Sequence, residues 1–274
     1  MLEYPETATL AEQCRQTIVG KTIREVLPPT KPHKFCWFSG DPAEYGARLW
    51  GSRIASATGF GIFVELAFDN GMFLSFDDGV NARLLPRNEA PKDYQLLVEF
   101  SDDSALVFTV AMYGGITLHD GSYDNAYYRK SKSAISPFDK EYASYYQEML
   151  SVSKPGLSAK AFLATEQRFP GIGNGVLQDI LFNAGIHPKR KIGTLTPEDR
   201  NRLFRAIVST LKEMTDSGGR DTEKDLFGNP GGYQTKLSRN TLPYPCVKCG
   251  SPLAKEAYLG GAVYFCPVCQ PLEK

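Results

Sequence analysis

Four of the six cysteines fall in two tight pairs near the end of the chain. Cys246-Val247-Lys248-Cys249 and Cys266-Pro267-Val268-Cys269 are separated by sixteen residues. A two-residue gap lets both thiolates of a pair reach one ion, and four thiolates close a tetrahedral shell with no open position. The spacing therefore predicts one structural zinc ion held by Cys246, Cys249, Cys266 and Cys269. A lone redox pair would not account for two knuckles around a hairpin pattern: Ala257-Tyr258-Leu259, a Gly260-Gly261 turn, then Val263-Tyr264-Phe265. Cys14 and Cys36 are scattered. The whole set has metal-site spacing rather than that of a secreted disulfide framework.

A second motif is Phe169-Pro170-Gly171-Ile172-Gly173-Asn174-Gly175, a glycine-rich turn feeding a helix. Exposed N–H groups at a helix start make an anion site, and glycine lets a phosphate come close. Taken alone, the same residues also suit a tight turn with no ligand. Charge supports the first reading. Residues 1–150 carry 14 basic against 20 acidic residues, a balance of −6, and residues 151–274 carry 17 against 11, a balance of +6. A basic second half suits a polyanion. Within it, Lys236, Arg239, Lys248 and Lys255 lie in or beside the cysteine segment, placed for phosphate contacts.

The elements that must position these groups are legible from periodicity. Leu10, Cys14 and Ile18 recur at helical spacing within residues 5–19, which makes Cys14 a core residue. From Thr22 to Leu118, short apolar runs at 62–66, 72–74, 96–100 and 105–108 alternate with turns at 69–71, 77–79 and 101–104. This predicts an antiparallel β-sandwich. Residues 122–136 read as a linker. Helical stripes follow: Phe138, Tyr142, Tyr145, Tyr146 and Met149; Ser158 to Ala164; Val176 to Ala184, closed by Gly185; and a helix opened by Thr196-Pro197-Glu198-Asp199 and stopped at Gly218-Gly219. The expected fold class is α+β. An amino-terminal helix and β-sandwich occupy 1–121, a helical domain 137–232, and the zinc finger 233–274.

The run Gly171-Ile172-Gly173-Asn174, then Asp179-Ile180-Leu181-Phe182, then Ala184-Gly185-Ile186-His187-Pro188, a Gly-Gly stop and a Tyr-Phe-Cys-Pro-Val-Cys-Gln finger resembles the Fpg/Nei family of bacterial base-excision repair enzymes. These are formamidopyrimidine-DNA glycosylase and endonuclease VIII. The resemblance covers residues 138–270 in order. It implies a helix-two-turn-helix domain with a zinc finger on duplex DNA, damaged or kinked, with Asn174 and Gly173 of the turn and Lys255 of the finger at the phosphate backbone. His187 falls on a structural corner. Glu3-Tyr4-Pro5-Glu6 matches the family's amino-terminal pattern and places Glu3 at its catalytic acid. The family's nucleophile is an amino-terminal proline amine that forms a Schiff base with the sugar. Leu2 stands there, leaving the Met1 amine one residue out of register. Phe60 stands where the family has a lysine, and the finger's arginine falls at Gly261. The methionine wedge aligns near Asp78, and the paired arginines before Phe-Gly align near Met112-Tyr113.

Three functional readings follow. The first is a DNA-binding protein that docks on damaged or bent duplex without cutting it. The second is an active glycosylase or abasic-site lyase that uses the Met1 amine or Glu3. The third is a protein-interaction role without nucleic acid. His33-Lys34-Phe35-Cys36-Trp37-Phe38 reads first as a strand with a core face, and otherwise as a base-stacking segment. No apolar run is long enough to span a bilayer, and the first twenty residues have no signal-peptide pattern. The expectation is a cytoplasmic monomer away from membranes.

Overall fold

The computed structural model describes residues 1–272; Glu273 and Lys274, at the end of the expected finger, lie outside the described residues. The first helix, α1 (Tyr4–Thr17), starts in a capping box in which Glu3 and Glu6 exchange side-chain and backbone bonds, with Pro5 in the first turn. Its Leu10, Ala11 and Cys14, with Ile18 beyond its end, sink into the sandwich core. Cys14 is buried there, as its helical spacing predicts.

Two sheets form that sandwich. One orders β1 (Ile23–Leu27), β7 (Leu96–Phe100), β8 (Ser104–Val110) and β6 (Val80–Pro86). The other orders β2 (Cys36–Phe38), β9 (Gly114–His119), β5 (Phe73–Asp77), β4 (Phe63–Phe68) and β3 (Ile54–Phe60). All pairs are antiparallel except β2 with β9, which run parallel from Cys36 beside Gly114 to Phe38 beside Ile116. The expected all-antiparallel sandwich is corrected at that edge. A short helix, α2 (Tyr45–Leu49), closes one end. Leu74 and Phe76 of β5 point into the core, so Phe73, Ser75 and Asp77 face outward.

That outward face is covered. Residues 122–136, expected as a linker, contain α3 (Ala126–Lys132), capped by Asn125 and packed on the sheet. Tyr128 and Ser131 of α3 are buried. The buried carboxylate of Glu65 takes hydrogen bonds from Ser75 Oγ at 2.9 Å, Lys132 Nζ at 3.0 Å and the Tyr128 hydroxyl. Burial pushes the Glu65 carboxyl up, but bonds from His119, Tyr128, Lys132 and Ser75 outweigh it and bring it down to about 2. The Lys132 ammonium lies over the rings of Tyr128, Phe73 and Phe60. A Ser/Tyr/Lys-rich stretch looks solvated in sequence. What orders it is a carboxylate on a distant strand.

The second unit comprises α4 (Tyr142–Val152), α5 (Ala159–Ala164), α6 (Val176–Ala184) and α7 (Pro197–Asp216) around an aromatic core. Thr196 and Asp199 form the capping box of α7. Gly185, at φ 65°, ends α6 in the left-handed conformation that glycine adopts without strain. Phe138 does not join the α4 stripe; it precedes the helix and meets the Tyr4 ring edge-on at 5.5 Å. The loop after α7 crosses back to the sandwich. Leu226 enters the sandwich core, its carbonyl accepts the Leu84 N–H at 2.9 Å, and Gln13 clamps Asp225 and Leu226. Residues 220–232 therefore bolt the two units together rather than belonging to the helical one alone.

The carboxy-terminal hairpin pairs β10 (Ala254–Tyr258) with β11 (Gly261–Phe265). Its two-residue turn is Leu259-Gly260, both at positive φ, one position earlier than the Gly260-Gly261 reading. Among the described residues, no helix is long and apolar enough to cross a membrane.

Candidate nucleic-acid interface and metal centre

The four cysteine sulfurs all lie within 4.8 Å of one another. Cys246 and Cys269 are 3.8 Å apart, and Cys249 and Cys266 are 3.5 Å apart. Sulfurs about 2.3 Å from a tetrahedral ion sit about 3.8 Å from each other, so the donor set fits one four-coordinate metal. The knuckles also rest on α6. Cys246 and Cys266 are buried against Phe182 and Leu237. Asp179 accepts the N–H groups of Lys236 at 2.9 Å and Leu237 at 2.8 Å. The Lys248 ammonium bonds the Phe182 carbonyl at 2.9 Å and covers its ring. Lys236 faces Asn183 and the Tyr233 ring. These two lysines also tie the finger to α6 and its neighbours. Lys255 and Arg239 stay exposed. His187 is buried, accepts the Lys189 N–H through Nδ1 and packs edge-on to Phe265 at 4.4 Å, the expected corner.

The glycine turn and the hairpin meet. Asn174 is exposed, and its Nδ2 donates to the Ala262 carbonyl at 3.0 Å. Buried Gln178 of α6 donates to the same carbonyl at 3.1 Å and accepts the Tyr264 N–H at 3.0 Å. The turn before α6 and the tip of the finger thus form one surface, with Asn174 at their junction.

The anion that the turn itself binds is internal. Glu3 is 2% exposed, and its carboxylate accepts the N–H groups of Gly175 at 2.8 Å, Val176 at 2.7 Å and Gly173 at 3.3 Å. The helix start binds an anion, as the motif predicts, but its partner lies 170 residues upstream. The glycines allow the close approach of Glu3. A Cβ on Gly173 would sit 2.8 Å from Glu3 Oε1. One on Gly175 would overlap the Arg220 guanidinium. Gly173, expected at the phosphate, is turned toward Glu3.

Arg220 completes this arrangement. It is buried, bonds Glu6 through Nε at 2.9 Å and Nη2 at 2.8 Å, and approaches Glu3 at 3.7 Å. Burial pushes the Glu3 carboxyl up, while Arg220 opposes that shift. Burial also disfavours the charged guanidinium, yet Glu3 and Glu6 more than offset it and drive its pKa upward. The N–H groups and Arg220 favour the ionised form of Glu3, while its burial and the neighbouring Glu6 carboxylate oppose it. Leu2 is buried in the sandwich core, with its N–H on the Asp78 carbonyl at 2.6 Å. The Met1 amine forms an ion pair with Glu223. Nothing in the sequence alone foretold Arg220 or Glu223; they are two charged residues in a loop, far from their partners along the chain.

Phe60 stacks on Phe63 at 5.8 Å and meets Tyr128 edge-on at 5.6 Å. The strand has the expected core face in Cys36 and Phe38, while Phe35 and Trp37 are about half exposed.

No protein-family model matches the chain. Its curated relatives include formamidopyrimidine-DNA glycosylases of Bacillus cereus, 29% identical over 278 aligned positions that cover 99% of both chains, and of Bacillus licheniformis, 29% identical over 98% of this chain and 99% of the relative. Among solved structures, the Lactococcus lactis Fpg in complex with abasic-site DNA superposes with a TM-score of 0.81 at 22% identity, covering 98% of this chain and 99% of that one. The Fpg of Thermus thermophilus does so with a TM-score of 0.79 at 23% identity, over 99% and 100%. In sequence along its whole length and in fold, the chain resembles the Fpg/Nei family.

Proposed function

We propose that this protein is a zinc-carrying member of the Fpg/Nei family that docks, as a monomer, on damaged or kinked duplex DNA without the family's imine chemistry. The observation that carries this reading is the state of Glu3. Its carboxylate is buried, saturated by three backbone N–H groups and faced by Arg220. A general acid or base must exchange a proton with substrate or water, and this one is committed to holding the turn before α6. The amine that would serve as nucleophile is ion-paired to Glu223, and Leu2, at the family's nucleophile position, is buried. The grip is assigned to the exposed junction of turn and finger, with Asn174 and Lys255 at the phosphate backbone and one zinc ion holding the finger through Cys246, Cys249, Cys266 and Cys269. Relatives named as DNA glycosylases, and a neighbour solved with abasic-site DNA, support DNA as the partner.

The test is a fluorescence-anisotropy titration of duplex at several salt concentrations. Affinity is expected to fall steeply with salt as counterions are released. Asn174→Ala is expected to weaken binding about tenfold, the scale of one hydrogen bond to a charged group, with no change in melting temperature. Lys255→Ala is expected to lower the salt slope by about one phosphate contact. Salt-independent or absent binding would overturn the reading and favour a protein-interaction role.

A further inference from the structure

Covering the outer face of the five-stranded sheet is the task of residues 122–132, and the cover is incomplete. At one end it is dense: the His119 ring is stacked between Phe73 and Tyr123, and Tyr128 and Lys132 close over Glu65. At the other end, beside β2 and the β5–β6 turn, it leaves a cavity of about 280 Å³. That is close to the lower bound of roughly 300 Å³ for small-molecule sites, room for one ring system rather than a whole nucleotide.

We propose that this cavity, walled by Trp37, Phe63, Tyr123 and Tyr127 with Asp77 in its lining, receives a single unpaired nucleobase, preferentially one with an amino group on its edge. The proposal rests on the duplex-binding reading above and deepens it. Three observations carry it. The walls are aromatic, and two of them stand at the rim in solvent: Trp37 is 53% and Tyr127 54% exposed. A flat ring stacked on such faces gains about 1–3 kcal/mol. Among the polar groups of the lining, which include Ser39, Thr117, Asn125 and Asp78, Asp77 offers an acceptor. Asp77 Oδ1 takes the Gly115 N–H at 2.8 Å, while Oδ2 lies over Gly115, where a Cβ would come within 2.8 Å, so glycine leaves that oxygen clear. Only Gly115 and Asp78 act on the carboxyl beside its burial; no cation does. A carboxyl oxygen of this kind accepts from a base's amino group. Finally, with Asp77 and Asp78 both in the lining, the cavity repels phosphate. It therefore suits a base entering edge-first with its backbone left outside.

The position fits as well. Tyr113 leans on Trp37 at 6.3 Å and its hydroxyl faces Met1 Sδ at 3.9 Å. The Asp78 carbonyl takes the Leu2 N–H, and the next residue, Glu3, anchors the Asn174 turn. The cavity lining is thus linked through Leu2 and Glu3 to the turn that carries Asn174. Burial also drives the Asp77 carboxyl up to about 7, the mark of an acid held in an apolar surround.

The chain has two tryptophans, and Trp50 lies outside the cavity at 76% exposure. Full-length Trp50→Phe protein therefore reports on Trp37 alone. It is titrated with an intact duplex and with the same duplex carrying one extrahelical cytosine or thymine. The expected result is quenching of Trp37 by the cytosine bulge, with about tenfold tighter binding than the intact duplex, the equivalent of one stacked base, and a smaller gain for thymine. Tyr127→Ala and Asp77→Ala are expected to lose the bulge preference and keep intact-duplex affinity. Tyr127 is half in solvent, so its variant tests the idea even if Asp77→Ala fails to fold. Unchanged Trp37 emission, or a bulge preference that survives Tyr127→Ala, overturns the inference. Failure to bind intact duplex would instead overturn the reading beneath it.

Discussion

Replacing Arg220 with alanine is expected to lower the unfolding free energy by about 3–5 kcal/mol, the scale for stripping the partner from a buried ion pair. Arg220, Glu3 and Glu6 are each less than 5% exposed. Without the guanidinium, two neighbouring carboxylates are left buried together with no buried counter-ion. The Glu3 carboxyl, already raised by burial, then rises further above its unfolded value, because the Arg220 charge that opposed the shift is gone. A folded state that binds more protons than the unfolded one loses stability as pH rises, so the deficit should be largest near neutrality and shrink toward pH 5. Denaturant unfolding at both values checks this. Removing the charges together, as Glu3→Gln, Glu6→Gln and Arg220→Met, should recover much of the loss, because burying a charge is the costly step. If Arg220→Ala unfolds like the parent at pH 7, the site described here does not hold the amino terminus to the helical unit.

Stripping the metal is expected to have the largest effect on binding. One zinc per chain should be measured by elemental analysis, and chelation or Cys266→Ser should abolish duplex affinity while the sandwich remains folded. A structural tetrathiolate site contributes about 10–16 kcal/mol to the segment it folds. The finger has little else: its own cluster is Phe182, Leu237, Cys246 and Cys266, and Phe182 belongs to α6. Ala262, whose carbonyl is shared by Asn174 and Gln178, sits in the hairpin between the knuckles. Loss of the ion therefore removes the far wall of the Asn174 junction. Hydrogen exchange over residues 233–272 reads this directly. A hairpin that stays protected without metal would contradict it.

What could be read from the residues divides along a physical line. The metal ligands, the capping box of α7, the stop at Gly185 and the stripe through α6 are set by neighbours a few positions apart, so spacing exposes them. The glycine turn was legible as a candidate anion site because N–H groups at a helix start need acceptors. Which anion fills it was not legible, since Glu3 and Val176 are brought together only by the finished fold. The same holds for α3, whose docking depends on Glu65, and for Lys236 and Lys248, whose bonds to Asn183 and Phe182 form only once α6 is in place. The core face of β2 was legible as an apolar strand, but which residues fill it was not: Cys36 and Phe38 turn inward and alternation leaves Trp37 in solvent.

The central claim is a family scaffold that keeps its hold on DNA while its amino-terminal chemistry is closed off by Glu223, Glu3 and Arg220. Borohydride reduction of the full-length, metal-loaded protein on abasic-site duplex tests it most directly, with binding to the same duplex followed in parallel. The expected result is saturable, salt-sensitive binding with no covalent adduct. A trapped adduct at the Met1 amine would contradict the account and establish an imine-forming lyase in its place.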